Sequence, residues 1–98
     1  MVYLSYVDRL VFEYDFDKSR SNLEKHGIDF KEIQELWKND VLIFESKNKS
    51  EKRLLVVGAI GVKFWTVIVT IRGDRKNIIR IISARRSRHE EKELYEKN

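Results

Sequence analysis

The chain has 98 residues, which is enough for one modest hydrophobic core and too few for two, so we expect a single domain spanning residues 1–98. A composition of 42% hydrophobic and 37% charged residues allows a core inside a charged surface and argues against global disorder. Because the sequence contains no cysteine and only two histidines, His26 and His89, it excludes disulfides and cysteine-bound zinc, and we expect neither a metal nor a cofactor.

Positive charge is concentrated towards the C-terminus. The net charge is +4, and residues 72–92 alone hold eight Lys or Arg against three Asp or Glu, a local excess of +5. Such a surface suits a polyanion or an acidic protein, although an ordinary solvated surface explains the composition equally well. No apolar stretch of 18 residues occurs, and Asp8 and Arg9 interrupt the N-terminal apolar residues, so we expect no signal peptide, no membrane contact and a cytoplasmic protein.

The first predicted elements are a short strand and a helix. Residues 9–14 (RLVFEY) are typical of a strand, and Asp15 follows as a candidate N-cap. A helix is then predicted over residues 16–26, because Gly27 supplies the left-handed residue that commonly ends a helix.

A second helix is predicted over residues 30–38. Asp29 and Glu32 are spaced as a capping box, and the apolar residues that follow fall on one helical face. These residues are Phe30, Ile33, Leu36 and Trp37. This helix should therefore pack on the core.

The second half of the chain has the two-residue period of β-strands. The predicted strands are VLIFES, RLLVVGAI, KFWTVIVTI and NIIRIIS, separated by short polar or glycine-containing connections. Short connections favour an antiparallel meander of about four strands over parallel crossover units. A last helix is predicted from residue 87, with Ser87 and Glu90 as its capping box. The predicted fold class is α+β.

Arginines interrupt the last predicted strand and follow it. If Thr70 pairs opposite Arg80, then Arg72 and Arg80 share the face of the sheet that the helices leave open, and Arg85 and Arg86 emerge at its rim. A slip of one residue would instead place Arg80 among the apolar side chains, where it would need a carboxylate partner.

The first predicted helix has a polar stripe. Asp15, Lys18, Asn22 and Lys25 are spaced so that they fall on one helical face. A solvated helix face is the simplest interpretation, and His26 also fits as a C-terminal histidine favoured by the helix dipole.

Several spaced motifs resemble the BrnT-type toxins of bacterial type II toxin–antitoxin systems. The stretch FEYDFDKSRSNLEKHGIDFKE is similar to the N-terminal signature of that family, and RLLVVG, VTIR and RIISAR are similar to its strands. The resembling positions are Asp15, Lys18, Asn22, Lys25, His26, Gly27, Ile28, Phe30, Arg53, Gly58, Thr70, Arg72, Arg80, Ile82, Ser83, Ala84, Arg85, Glu91 and Tyr95. The resemblance runs from about Phe12 to Glu96, which leaves residues 1–11 as an N-terminal extension.

The chain departs from the family pattern in two places. Phe16 follows the capping Asp15 where the family usually has proline, which removes a preset backbone angle and keeps the cap. Arg86, Ser87 and Arg88 follow the RIISAR motif where the family tends to have Lys-Ala-Thr, which keeps or raises the positive charge.

The resemblance implies a RelE-like fold and a metal-independent ribonuclease that inhibits translation. It also implies a DNA-binding antitoxin encoded nearby. The toxin would then contact operator DNA only through this antitoxin. Among the matching residues, Arg72, Arg80 and Arg85 are candidates for stabilising charge on the reacting phosphate, because arginine binds phosphate through two nitrogens and stays protonated. His26 is the acid–base candidate, followed by Glu91 and Tyr95. The candidate RNA-binding residues are Lys18, Asn22, Lys25 and Arg86.

Two other functions remain open at this point. The same basic face would serve a non-catalytic module that binds an acidic protein or a nucleic acid. Alternatively, the arginines would be paired with the 16 carboxylates of the chain in a purely structural domain.

Overall fold

The computed structural model describes residues 10–46, 53–73 and 75–98. Its elements in chain order are β1 (Val11–Glu13), α1 (Phe16–His26), a 3₁₀ helix (Glu32–Lys38), β2 (Leu42–Glu45), β3 (Leu54–Ile60), β4 (Lys63–Arg72), β5 (Ile78–Arg86) and α2 (His89–Lys97). The predicted α+β class is confirmed. Most of the predicted N-terminal extension lies outside the described residues.

The five strands within the described residues form one sheet, with the order β1-β5-β4-β3-β2. Strands β2 to β5 make the antiparallel meander that the sequence predicts. Strand β1 joins the sheet at the other edge and runs parallel to β5, so that Val11 pairs with Ile78 and Glu13 pairs with Arg80. The sheet therefore brings the first described strand of the chain next to its last strand.

The register between β4 and β5 is the first of the two that the sequence leaves open for the final hairpin. Thr70 lies opposite Arg80, which removes the alternative in which Arg80 points into the core. An irregularity between Ile68 and Val69 shifts the register, so that further along Thr66 lies opposite Arg85. A bulge of this kind adds one residue to one strand. As a result, the pair Thr70 and Arg80 and the pair Thr66 and Arg85, on either side of the bulge, point to the same face of the sheet.

The main core lies between one face of the sheet and the layer formed by α1 and the 3₁₀ helix. Val67 and Val69 of β4 point into it and are fully buried. Gly58 of β3 lets the 3₁₀ helix approach closely, because a Cβ atom there would lie 2.9 Å from Cγ of Leu36. This contact explains why a residue without a side chain stands in the middle of an apolar strand.

Local capping signals set the boundaries of α1 as predicted. The Asp15 carboxylate accepts hydrogen bonds from the backbone N–H groups of Asp17 and Lys18, at 2.8 and 3.1 Å. Gly27 has φ 79°, and its N–H donates to the carbonyl of Leu23. Both ends of the helix therefore satisfy backbone groups that would otherwise lack partners.

The second helix differs in type from the prediction. Residues 32–38 form a 3₁₀ helix and not an α-helix, and its N-cap residue is Lys31. The Asp29 carboxylate still accepts a hydrogen bond from the N–H of Glu32. A 3₁₀ helix places residues i and i+3 directly above one another, so Ile33 and Leu36 both face the sheet. Both are fully buried, and Trp37 is 2% exposed, so the predicted apolar face is confirmed.

The boundary between β5 and α2 also differs from the prediction. Strand β5 continues to Arg86 because Arg85 and Arg86 pair with β4, and the N-cap of α2 is Arg88 instead of Ser87. Helix α2 packs on the second face of the sheet, where the Tyr95 hydroxyl donates to the carbonyl of Asp40 and the Tyr95 ring meets Phe64 edge-on. Among the described residues, this face is therefore covered by a helix at one end and open at the other.

Candidate active site

Two arginines and one glutamate meet on the open part of the second sheet face. Nη1 of Arg72 lies 2.7 Å from Oε1 of Glu13, and Nη1 of Arg80 lies 3.4 Å from the same oxygen. We call Glu13, Arg72 and Arg80 the sheet-face cluster. With two positive charges and one negative charge, it carries a net charge of +1.

Three neighbouring strands position the sheet-face cluster. Glu13 of β1 pairs with Arg80 of β5, and Arg80 lies opposite Thr70 of β4. Arg72 stands two residues beyond Thr70 on the same strand and so points to the same face. With this register, Arg72 and Arg80 therefore lie on the same face of the sheet, as the sequence analysis expects for the pairing of Thr70 with Arg80.

The sheet-face cluster is accessible from solvent. The side chains of Arg72, Arg80 and Glu13 are 58%, 40% and 35% exposed. The turn between β4 and β5 adds the exposed cations Arg75 and Lys76 at the same end of the sheet. An anion that approaches this end meets several cations on rigid strands or on the turn that joins them.

Arg85 lies elsewhere and is held by a carboxylate. Its Nη1 and Nη2 atoms each lie 2.8 Å from one oxygen of Glu91, and the side chains are only 21% and 10% exposed. Oε1 of Glu91 also accepts from the Thr66 hydroxyl at 2.9 Å and from the Arg88 backbone N–H at 2.8 Å. The prediction that Arg85 emerges at the rim of the open face is wrong, because Arg85 pairs within β5 and its guanidinium is bound by Glu91.

These contacts change the protonation of both partners. Burial raises the pKa of Glu91, but hydrogen bonds from Arg85, the Arg88 amide and Thr66 outweigh burial and lower that pKa to about 2. The hydrogen bond with Glu91 raises the pKa of Arg85 despite its burial. Glu91 is therefore ionised at neutral pH with its oxygens already engaged, which gives no support to its predicted acid–base role.

Arg85 and the sheet-face cluster are separated along β5. Between Arg80 and Arg85 the strand advances by about 13 Å, since each strand residue contributes roughly 3.3 Å and one residue is taken up by the bulge. The three arginines predicted to act together on one phosphate thus fall into two groups.

Asn22 is a structural connector and not part of a solvated stripe. Its side-chain nitrogen donates to the carbonyls of Ile28 and Ala84, at 2.8 and 2.9 Å, and its oxygen accepts from the Ala84 N–H at 3.1 Å. The residue is 6% exposed. The predicted contact of Asn22 with RNA has no support from this geometry, because the amide is already used to join α1 to β5.

The other residues predicted on α1 stay at the surface. Lys18, Lys25 and His26 are exposed on the helical layer, which covers the face of the sheet opposite the sheet-face cluster. Arg86 points to this layer as well, where its guanidinium lies 5.6 Å from the centre of the Trp65 ring. These four side chains therefore do not converge with Arg72 and Arg80.

Glu13 is the member of the cluster that the sequence-based reasoning missed. It is a single acidic residue inside the first strand, as Arg80 is a single basic residue inside the last. Opposite charges that interrupt two apolar strands are a signal that the strands pair and that the charges face one another. That signal was available, but the pairing of β1 was not predicted.

Comparison with known proteins decides the family. A family model described as "Ribonuclease toxin, BrnT, of type II toxin-antitoxin system" matches residues 14–91, which include Arg72 and Arg80. The chain belongs to the BrnT family. The resemblance found in the sequence is thereby confirmed, and this BrnT protein is a ribonuclease toxin of a type II toxin–antitoxin system, with RNA as substrate and a cognate antitoxin as partner.

A solved structure shares the fold of this BrnT chain. It is the crystal structure of the Brucella abortus ribonuclease toxin, BrnT, with a TM-score of 0.64 and 24% sequence identity. The similarity covers 82% of this chain and 99% of the Brucella chain. No curated protein sequence matches the chain.

Two further observations concern the described part of this BrnT toxin. No three His, Cys, Asp or Glu side chains within residues 10–46, 53–73 and 75–98 are grouped so that they could hold a metal ion. No helix in the same ranges is both long and apolar enough to cross a membrane.

Proposed function

We propose that this BrnT toxin is a metal-independent endoribonuclease that cuts RNA at the sheet-face cluster and thereby inhibits translation. The observation that carries the proposal is the convergence of two arginines on one point. Because Nη1 of Arg72 and Nη1 of Arg80 contact the same oxygen, these nitrogens are at most about 6 Å apart, which lets both bind one phosphate group.

The chemistry of RNA supplies the nucleophile. The 2′-hydroxyl attacks the adjacent phosphorus, negative charge gathers on the phosphate oxygens in the transition state, and the bond to the 5′-oxygen breaks. Preorganised cations on an accessible rigid sheet stabilise that charge without reorganising during the reaction. Arg72 and Arg80 suit this role, since a guanidinium stays protonated and donates two parallel hydrogen bonds to phosphate.

The remaining exposed cations suit RNA on either side of the cleaved bond. Arg75 and Lys76 extend the positive surface beyond Arg72. Lys18, Lys25 and Arg86 are retained as candidate contacts with more distant phosphates, because their side chains are exposed on the helical layer. His26 stays a prediction as an acid or base, since its helix lies on the other side of the sheet from the cluster.

The partner of this toxin is proposed to be a DNA-binding antitoxin encoded nearby. In this proposal the antitoxin neutralises the toxin in the cytoplasm, and operator DNA is contacted only through the antitoxin. The family membership supports an antitoxin partner. Induction of the toxin should arrest growth and protein synthesis, and co-expression of the neighbouring antitoxin should restore both.

Cleavage by the purified toxin tests the proposal directly. We expect the toxin to cut single-stranded RNA in excess EDTA and to leave a 2′,3′-cyclic phosphate and a 5′-hydroxyl. Arg72→Ala and Arg80→Ala should each lower the rate by about 10²–10³, as expected for the loss of one preorganised donor. Arg20→Ala is the matched control, because Arg20 is an exposed arginine on α1.

Three results would contradict the proposal. Activity that disappears in EDTA and returns with Mg²⁺ would contradict metal independence. Equal rates for wild type and both cluster variants would place the active site elsewhere. Tight RNA binding without any cleavage would favour the non-catalytic binding module.

A further inference from the structure

We propose that Glu13 is the general base of the cleavage reaction, a role that rests on the proposed ribonuclease function of the sheet-face cluster. Glu13 lies between the two arginines proposed to bind the reacting phosphate and contacts both of them. The 2′-hydroxyl of RNA is adjacent to that phosphate. A substrate held by Arg72 and Arg80 therefore presents its nucleophile next to the Glu13 carboxylate.

The two contacts of Glu13 are unequal, and this inequality lets a substrate enter. The 2.7 Å contact with Arg72 is a short charge-assisted hydrogen bond, whereas the 3.4 Å contact with Arg80 is longer than such bonds usually are. Each guanidinium has five N–H donors, and the contacts with Glu13 involve only Nη1. A phosphate can therefore recruit both arginines without first expelling Glu13 from the cluster.

Binding of the phosphate also frees the Glu13 carboxylate to meet the 2′-hydroxyl. A phosphate that draws the donors of Arg72 and Arg80 towards itself weakens their hold on Glu13 at the moment when the 2′-hydroxyl arrives. The same arginines thus keep Glu13 in place in the free protein and release it in the complex.

The proton transfers can be written out completely. Glu13 accepts the proton of the 2′-hydroxyl while the 2′-oxygen forms a bond to phosphorus. The bond between phosphorus and the 5′-oxygen then breaks, and that oxygen takes a proton from water. The products are a 2′,3′-cyclic phosphate and a 5′-hydroxyl, and Glu13 returns its proton to solvent.

Other candidate bases are less suitable. Glu91 already accepts four hydrogen bonds and is only 10% exposed. His26 lies on α1, in the layer on the opposite side of the sheet. Glu13 is 35% exposed, so a substrate can reach it, and its strand is fixed by pairing with β5.

The variant Glu13→Gln distinguishes a catalytic role of Glu13 as a base from a structural role as a clamp that only holds the two arginines in place. Glutamine keeps the size of the side chain and can still accept hydrogen bonds from the arginines, but it does not accept a proton. We expect cleavage to slow by about 10²–10⁴, the range typical of general acid–base catalysis. Affinity for an RNA with a 2′-deoxy residue at the cleavage point should stay equal or increase, because a negative charge has been removed from the binding surface.

Glu45→Gln is the matched control. Glu45 is an exposed carboxylate at the end of β2, on the sheet edge farthest from β1. This variant should cleave at the wild-type rate. If Glu13→Gln lowers affinity and cleavage in parallel, or lowers the melting temperature enough to explain the loss, Glu13 is a clamp and the proposal is overturned.

Chemical rescue provides a second, independent measurement. Glu13→Ala should be nearly inactive, and added formate or acetate should restore part of its cleavage rate by supplying a carboxylate to the vacated space. Chloride at the same ionic strength should restore nothing. Absence of rescue in a folded variant that still binds RNA would overturn the assignment of the proton transfer to Glu13.

The outcomes for Glu13 and for the proposed function remain distinguishable. If wild-type toxin does not cut RNA, the proposed function fails at its first step. If wild-type toxin cuts RNA and Glu13→Gln cuts it equally fast, only the assignment of the base fails. Glu13→Asp adds a check, because a shorter carboxylate should keep part of the activity that glutamine loses.

Discussion

Arg72, Arg80 and Arg85 come from the same pair of strands, yet their guanidinium groups have different surroundings. Arg85 is held through both terminal nitrogens by Glu91, in a contact that is mostly shielded from solvent. Arg72 and Arg80 share one exposed carboxylate. An arginine whose donors are committed to a buried partner supports the fold, and an arginine with spare donors on an open face can bind a ligand.

Arg85→Ala should destabilise the fold by about 3–5 kcal/mol, because it leaves the charge of Glu91 buried without its main partner. The free energy of unfolding in urea measures the effect. Arg86→Ala is the control, since Arg86 is exposed and rests on Trp65, and it should change stability by less than about 1 kcal/mol. An unchanged urea midpoint for Arg85→Ala would show that the pair with Glu91 contributes little.

Acid should weaken the fold through Glu91. The folded-state pKa of Glu91 is lowered to about 2, whereas an unfolded glutamate titrates near ~4.3. A lowered folded-state pKa stabilises the protein above the unfolded value, and this stabilisation is lost as the pH falls from about 5 towards 2. Glu91→Gln should remove this part of the pH dependence in urea unfolding measured from pH 7 to pH 2.

The matched control for the acid experiment is Glu96→Gln, because Glu96 is exposed on the same helix. It should leave the pH dependence of stability as in the wild type. Equal pH profiles for Glu91→Gln and wild type would contradict the assignment of the acid sensitivity to Glu91.

Asn22 shows why single residues are difficult to place from sequence. Its helical spacing with Lys18 and Lys25 correctly indicates one side of α1, but spacing does not report what lies opposite that side. The carbonyl and N–H groups of Ala84, 62 residues later, occupy the amide. Partners of this kind depend on tertiary structure, so a buried connector and a solvated polar residue look the same in sequence.

Helix ends and strand pairs can be predicted from sequence where contacts between residues close in the chain determine them. Asp15 and Gly27 define both ends of α1 through contacts within a few residues, and the prediction was correct. The sequence predicts that α2 starts at Ser87, because Ser87 and Glu90 match a capping box. In the structure the Ser87 hydroxyl is within 2.8 Å of the Thr66 hydroxyl, and Glu91 bonds the Arg88 amide, so a tertiary contact displaces the local cap.

The 3₁₀ helix offers a test of packing at the level of an element. Trp37→Ala should lower stability by about 3–5 kcal/mol, because the indole is 2% exposed and meets the Phe12 ring edge-on at 5.0 Å. Thermal melting measures the loss, and Lys38→Ala, at an exposed neighbouring position, is the control. A melting temperature unchanged by Trp37→Ala would mean that the packing of this helix on the sheet contributes little to stability.

The charge distribution of the whole molecule is uneven. The net charge is +4, and the cations that flank the sheet-face cluster lie in the segment with the greatest positive excess. Two carboxylates neutralise part of this positive charge: Glu91 pairs with Arg85, and Glu13 pairs with Arg72 and Arg80. The positive charge that remains at the open end of the sheet forms the surface proposed to bind the RNA backbone.

RNA affinity should fall as salt is raised. If Arg72 and Arg80 share one phosphate and Arg75 contacts a second, the logarithm of the binding constant should fall with the logarithm of salt concentration with a slope of roughly −1.4. Binding to RNA with a 2′-deoxy residue at the cleavage point measures the slope without cleavage. Arg75→Ala should make the slope shallower by roughly 0.7, and Arg20→Ala should leave it unchanged.

A flat salt response would contradict the basic end of the sheet as the RNA-binding surface. A steep response that Arg75→Ala leaves unaltered would show that the phosphates bind at other cations.

The parallel pairing of β1 with β5 was the feature of the whole fold that the sequence did not predict. A strand of three residues has too few positions to specify a register or a partner, and the meander of β2 to β5 leaves two edges open to it. The four other strands are longer or joined by short turns, so their antiparallel order follows from connectivity. The sheet-face cluster depends on the pairing of β1 with β5, which connectivity leaves undetermined.

This pairing also constrains the order in which the proposed site assembles. Glu13 and Arg80 are 67 residues apart in the sequence, so β1 is synthesised well before its partner strand, Ile78–Arg86. A nascent chain therefore lacks the complete cluster until β5 has left the ribosome, because both strands must be present before they can pair. If the cluster is the site of cleavage, a growing chain cannot cut RNA before that point.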